Sequence, residues 1–179
     1  MSTDIMLDME TLATSPDAVI LTFGAVKFDP KNSEEPDRPI YFRIDVDEQT
    51  ALGRVINEDT LVWWGKQEPA VFEEAMSEED RVSLDHFTTE LNRYVVGANK
   101  IWCQGPTFDI TMLENLYRMI GKPVPWSYWQ IRDSRTLGDL TSVQRKHTKD
   151  TAHNALGDAY VQAVAVQEIF NELGLANEA

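Results

Sequence analysis

Cysteine is almost missing from this chain. Its 179 residues include one, Cys103, which excludes an intrachain disulfide and a thiolate metal cluster. Set in Lys100-Ile101-Trp102-Cys103-Gln104, it reads as a small buried strand residue. Long apolar runs are missing too: no stretch reaches the length of a membrane span, and the N-terminus lacks a basic-then-apolar leader. No membrane partner is expected, and a cytoplasmic location follows as the default. Positive charge is scarce. Sixteen Lys plus Arg face thirty acids, for a formal charge of −14, whereas phosphate recognition normally rests on basic groups. Taken alone, that balance argues against nucleic-acid binding. Much of the excess lies in 34–37, 45–48 and 73–80, which read as solvated connections.

What is present suits a packed globule. Hydrophobic residues make up 42% and there are five Trp, so a disordered acidic chain is excluded. The length fits a single domain over 1–179. Residues 4–11 form a short apolar run, and 18–28 is rich in β-branched and aromatic residues. Residues 38–45 alternate, with Ile40, Phe42 and Ile44 on one face, so the first three strands form an antiparallel meander. One or two short helices are predicted over 58–76 and an amphipathic helix over 85–96. From Lys100 the pattern becomes strand-helix alternation: a strand at 101–103, a helix capped by Thr107, a strand over 128–132, a helix over 134–143 and a last helix to about Leu173. The fold class is therefore α/β, a mixed five-stranded sheet (three antiparallel strands, then βαβα) with helices on both faces.

The chemistry-bearing residues come from distant parts of the chain. Asp8 and Glu10 are two residues apart at the end of the first strand, so their carboxylates share a face. Such a pair is tolerated best with a cation between them. Asp109 follows the Cys103 strand, and an acid in a first helical turn is also favoured by the helix dipole alone. His153 and Asp158 are five residues apart, roughly 140° around a helix, so both serve one site only if His153 precedes the helix. A His on such a loop, with an ordinary pKa near ~6.5, suits a general base. Four carboxylates with at most one His make an oxygen-rich site for Mg²⁺ or Mn²⁺ rather than structural zinc. Two such ions ~3.5–4 Å apart can activate water and stabilise a leaving oxygen in phosphoryl displacement. They would also absorb part of the acid excess.

The order Asp8-x-Glu10, Asp109, then His153 with Asp158 resembles the DEDDh branch of 3′-to-5′ exonucleases, which have an RNase H-like fold. The tyrosine-using branch would place Tyr four residues before the last Asp, where Asn154 stands. Met9-Glu10-Thr11-Leu12, Trp63-Trp64-Gly65-Lys66-Gln67, Gly105-Pro106-Thr107-Phe108-Asp109 and Arg132-Asp133-Ser134-Arg135-Thr136 bring the likeness closest to the small bacterial and phage RNase T-like exoribonucleases. By that resemblance Asp8, Glu10, Asp109 and Asp158 hold two Mg²⁺, with Mn²⁺ as a substitute, and His153 deprotonates the attacking water. Thr11 and Leu12 meet the terminal nucleotide, Leu12 as a wedge, and Phe108 packs against the last nucleotide. Trp63 or Trp64 stacks on a base and Gln67 makes a polar contact, while Asn154 and Arg135 complete the substrate-binding candidates. Adjacent helical residues cannot both face inward, so one Trp belongs to the core and one to the cleft.

The resemblance implies hydrolysis of single-stranded RNA or DNA from 3′ ends to nucleoside 5′-monophosphates, and a homodimer. Arg132, Arg135 and Lys146 are candidates for phosphate contacts or solvated surface, and His86 and His147 for surface. Two other readings stand beside this one. The first is a non-catalytic acidic mimic or nucleic-acid-binding module on the same fold. The second is an endonuclease of the same architecture.

Overall fold

Eight residues of the first strand, β1 (Asp4–Thr11), alternate between two buried faces, and that alternation organises the molecule. In the computed structural model, which describes residues 3–143, 145 and 153–176, Ile5, Leu7 and Met9 belong to one apolar cluster and Met6 to another. The expectations for Lys146 and His147 lie outside the described residues. Asp8 and Glu10 share the parity of Met6, so they stand on its face of the sheet. β2 (Ile20–Phe28) pairs antiparallel with β1, and β3 (Asp37–Ile44) antiparallel with β2. The meander expected from the sequence is present.

The helix α1 (Val46–Ala51) was not expected, because its segment reads as solvated linker. Only Gln49 is buried there, and its amide exchanges two 2.8 Å hydrogen bonds with the Ile20 backbone. Two short helices follow, α2 (Glu58–Trp64) and α3 (Pro69–Met76), with Pro69 opening the second. A two-residue strand, β4 (Arg81–Val82), pairs parallel with β3 and makes the sheet six-stranded rather than five. Two residues carry no alternation, so periodicity could not find it.

Helix α4 (Leu84–Tyr94) precedes β5 (Ile101–Cys103), which is parallel to β1. Helix α5 (Asp109–Met119) begins two residues after the expected cap, Thr107. The Gly105 carbonyl takes the Phe108 N–H at 2.8 Å and the Asp109 N–H at 3.3 Å, so the helix starts from a backbone turn. The last strand is shorter than expected: 128–130 wind into a 3₁₀ turn before β6 (Ile131–Asp133). Helix α6 (Ser134–Gly138) stops well before 143, and α7 (Ala155–Glu172) ends the described fold.

The strand order is β4-β3-β2-β1-β5-β6. Helices α4 and α5 cover one face through Phe87, Leu91, Leu113 and Leu116. Helix α7 covers the other with Ala159, Ala163 and Val166. Because β1, β5 and β6 are parallel, their C-terminal ends share one sheet edge, where α5 and α6 begin. No helix among the described residues is long and apolar enough to cross a membrane.

Candidate active site

Asp8 lies opposite Gly24 of β2, and this pairing brings distant parts of the sequence together. A Cβ on Gly24 would stand 2.2 Å from the Leu156 nitrogen and 2.4 Å from the Leu156 Cα. The first turn of α7 therefore rests directly on the bare strand, and Asp158 in that turn arrives over the sheet beside Asp8. Glycine inside a strand often marks such a backbone approach. A register shift between Glu10 and Thr11 ends the regular pairing at the site's edge.

His153 does precede the helix. Asn154 is the N-cap of α7, its side-chain oxygen accepting from the Gly157 N–H at 2.9 Å. One residue earlier the backbone is left-handed, with φ 59° at His153, a conformation uncommon outside glycine but one that His adopts more readily than most residues. The turn directs the His153 N–H to the Asp158 Oδ2 at 3.1 Å. Ligand atoms of Glu10, His153 and Asp158 all lie within 4.8 Å of one another.

Electrostatics couple the remaining acids to that group. Burial pushes the Asp8 carboxyl well above the ordinary range, and repulsion from Asp109, Glu10 and Asp158 adds to it. A hydrogen bond from Gln162 works in the opposite direction. Burial pushes Glu10 up to about 8, helped by Asp158 and Asp109. Asp109, 3% exposed, is pushed up to about 7 by burial, against its own N–H, the Arg135 guanidinium and the Met9 N–H. Acids crowded and desolvated in this way are relieved by a divalent cation, and a donor set of carboxylate oxygens plus one imidazole fits a hard ion.

A cleft of about 490 Å³ opens beside Glu10, walled by Thr11, Phe108 and α2. The Trp pair divides as the helical spacing requires. Trp64 is 1% exposed and donates from Nε1 to the Thr11 carbonyl at 2.9 Å. Trp63 is 41% exposed, lines the cleft, and meets the His153 ring edge-to-face at 5.0 Å. The Thr11 hydroxyl donates to the Ala13 carbonyl at 2.7 Å.

Leu12 is placed differently from a wedge. It is 4% exposed, packed with Val19, Leu21, Trp64 and Ala75, because the strand's last turn points it beneath α2 rather than into the cleft. The Gln67 amide turns back to the Trp63 carbonyl at 3.0 Å. Arg135 reaches the Gln104 carbonyl at 3.3 Å, and Arg132 donates to the carbonyls of Trp129 and Ile131. His86 is exposed, its ring against Phe42.

Sequence reasoning missed Gly24, Gln162 and the cleft residues Asn57, Asp59 and Thr60. Gly24 left a signal, a glycine in the middle of an apolar strand. Gln162 left another, a polar residue one helical turn past Asp158 in an alanine-rich helix.

A family model described as the 3′-5′ exoribonuclease Rv2179c-like domain matches residues 3–170. An exodeoxyribonuclease of Enterobacteria phage T4 is 25% identical over 195 aligned residues, covering 95% of this chain and 86% of its own. The fold is similar to the nuclease domain of 3′hExo, a DEDDh family member solved with bound rAMP. The TM-score is 0.64 at 8% identity, over 98% of this chain and 95% of that one. Cell-death related nuclease 4 (CRN-4) gives a TM-score of 0.55 at 15% identity, over 96% of this chain and 64% of its own.

Proposed function

Because the chain belongs to the 3′-5′ exoribonuclease Rv2179c-like family and is a 3′-5′ exonuclease, we propose that it works as a DEDDh enzyme, hydrolysing single-stranded RNA or DNA from the 3′ end to nucleoside 5′-monophosphates. The observation that carries this reading is the meeting of Glu10, His153 and Asp158 within 4.8 Å, with the half-buried Asp8 and the buried Asp109 coupled to them. Asp8, Glu10, Asp109 and Asp158 would hold two Mg²⁺, or Mn²⁺ in their place. Bound there, the ions supply Lewis-acid stabilisation of a water nucleophile and a leaving oxygen.

The chain's own residues do the rest. His153 takes the proton of the attacking water at a ring nitrogen, and its position ahead of the α7 N-cap suits that task. The bond from phosphorus to the 3′ oxygen of the penultimate nucleotide breaks, so the phosphate leaves with the terminal nucleoside. Trp63 offers an exposed ring to the terminal base, and Phe108 lines the same cleft. Thr11 sits where the 3′ end would arrive, with its hydroxyl already donating within the protein.

Matched single-stranded DNA and RNA oligonucleotides labelled at the 5′ end test the proposal, each with Mg²⁺ and with EDTA. A descending ladder of labelled products that needs Mg²⁺ is expected, and a circular single strand should stay uncut. Digestion in EDTA would overturn the metal assignment, and cleavage of the circle would make the enzyme an endonuclease.

A further inference from the structure

Helix α7 presents mostly small apolar residues to the sheet: Ala155, Ala159, Ala163 and Val166 are all fully buried. Gln162 interrupts that set. It is 3% exposed and sits one turn beyond Asp158, so the two side chains leave the same face of the helix. Its Nε2 donates to the Asp8 Oδ1 at 2.9 Å. The other end of the amide, Oε1, is buried with no hydrogen-bond partner among the described residues. Among the described residues, the one hydrogen bond this amide makes is therefore the one to the carboxylate.

Burying a long polar side chain costs desolvation and rotamer freedom that an aliphatic residue would not incur. The location explains the choice. Within a cluster of acids, a Lys or Arg at this distance would compete with a bound cation, whereas an amide N–H orients a carboxylate and adds no charge. A carboxylate with one oxygen tied down has lost rotation about its last bond, and its second oxygen is pre-aimed.

We propose that Gln162 is a positioning residue of the site: its amide commits the Asp8 Oδ1 to the protein and thereby presents Oδ2 to a divalent ion. This rests on the metal-dependent reading above and adds to it a residue outside the acid-plus-His set. Gln162 touches neither the ion nor the nucleic acid and acts only through Asp8.

The test is Mn²⁺ titration of the full chain without nucleic acid, followed by electron paramagnetic resonance of the free ion. Gln162→Met keeps the length and removes the donor, and Gln162→Asn keeps an amide but draws it back by one methylene. Both should weaken Mn²⁺ binding about tenfold. At saturating Mn²⁺ the KM for a labelled oligonucleotide should hold, and the metal-free melting temperature should not fall. A purely structural role predicts the reverse, lower melting with unchanged Mn²⁺ affinity, and would overturn the proposal. Should both variants fail to fold, the ¹⁵N-labelled side-chain amide of Gln162 in the unaltered protein decides. Its signal should shift as Mg²⁺ is added, and an unmoved signal refutes the role. Absence of Mn²⁺ binding by the unaltered protein would refute the metal-dependent reading itself, whereas normal binding matched by both variants would refute this inference alone.

Discussion

Replacing Gly24 with Ala probes how the site is assembled without touching any acid. The added methyl would stand 2.2 Å from the Leu156 nitrogen and 2.4 Å from the Ala155 carbonyl carbon. Ordinary contacts lie at 3.4–4 Å, so one partner must retreat by roughly 1 Å or more. β2 is paired on both sides, with β1 and with β3, and cannot yield easily. The first turn of α7 yields instead, and it carries Asp158 two residues after Leu156 and His153 three residues before. Overpacking of this kind costs about 1–3 kcal/mol, which for a chain of this size lowers the melting temperature by roughly 2–12 °C. Activity should suffer more than stability, since a displacement of ~1 Å at a reacting centre can cost about 10²-fold. Circular dichroism melts and single-turnover digestion of a labelled oligonucleotide measure the two effects on one preparation. Wild-type turnover in a folded Gly24→Ala protein would refute the account of how Asp158 reaches Asp8.

The Trp pair should separate stability from binding. Trp64→Ala removes a buried ring and should cost about 3–5 kcal/mol of stability, whereas Trp63→Ala should leave melting unchanged and weaken oligonucleotide binding by ~1–3 kcal/mol; equal melting of the two variants contradicts the division. His153→Ala should lower turnover by about 10²–10⁴-fold and keep Mn²⁺ binding, so a collapse of Mn²⁺ affinity would make His153 a ligand rather than the base. The pH dependence follows from the raised carboxyls. Glu10 at about 8, Asp109 at about 7 and Asp8, raised in the same direction, hold protons in the folded state that the unfolded chain has released. Their stabilising effect is complete below the ordinary carboxylate range near ~4 and is lost as pH rises through the folded values. The metal-free protein should therefore melt at lower temperature at pH 8 than at pH 5, with Mg²⁺ restoring most at the upper end; a flat or rising metal-free profile refutes the crowding of the acids.

The acids and the His were legible because their chemistry restricts residue type and their order along the chain is diagnostic. Periodicity also found β1 to β3, α4 and α7, each long enough to show its repeat. It failed where burial rests on a single polar side chain. Gln49 holds α1 against β2 through its amide, and no apolar stripe announces that helix. β4 has two residues and cannot show alternation. Leu12 was expected in the cleft, but the turn after Thr11 is set by packing against Trp64, a contact from 52 positions away. Helical spacing required that one Trp be buried; only tertiary packing decides that it is Trp64, whose indole N–H finds the Thr11 carbonyl.

The acidity that first argued against a nucleic-acid substrate is explained by where the charge sits. Several surface acids are paired within the fold, Glu74 with Arg43, Glu90 with Arg93 and Asp85 with Lys122. The acids around Asp8 are crowded against one another, and there burial and repulsion already favour the protonated carboxyls. The cleft beside them contains no Lys or Arg among its described lining, but offers Trp63, Phe108, hydroxyls and amides. Such a surface recognises a base through its π face and a sugar through hydrogen bonds, neither of which needs a cation. On the proposed reading, positive charge is required only at the scissile phosphate, and divalent ions held by four carboxylates supply it there. Net charge is then a poor guide to the substrate of an enzyme that takes its cations from solution.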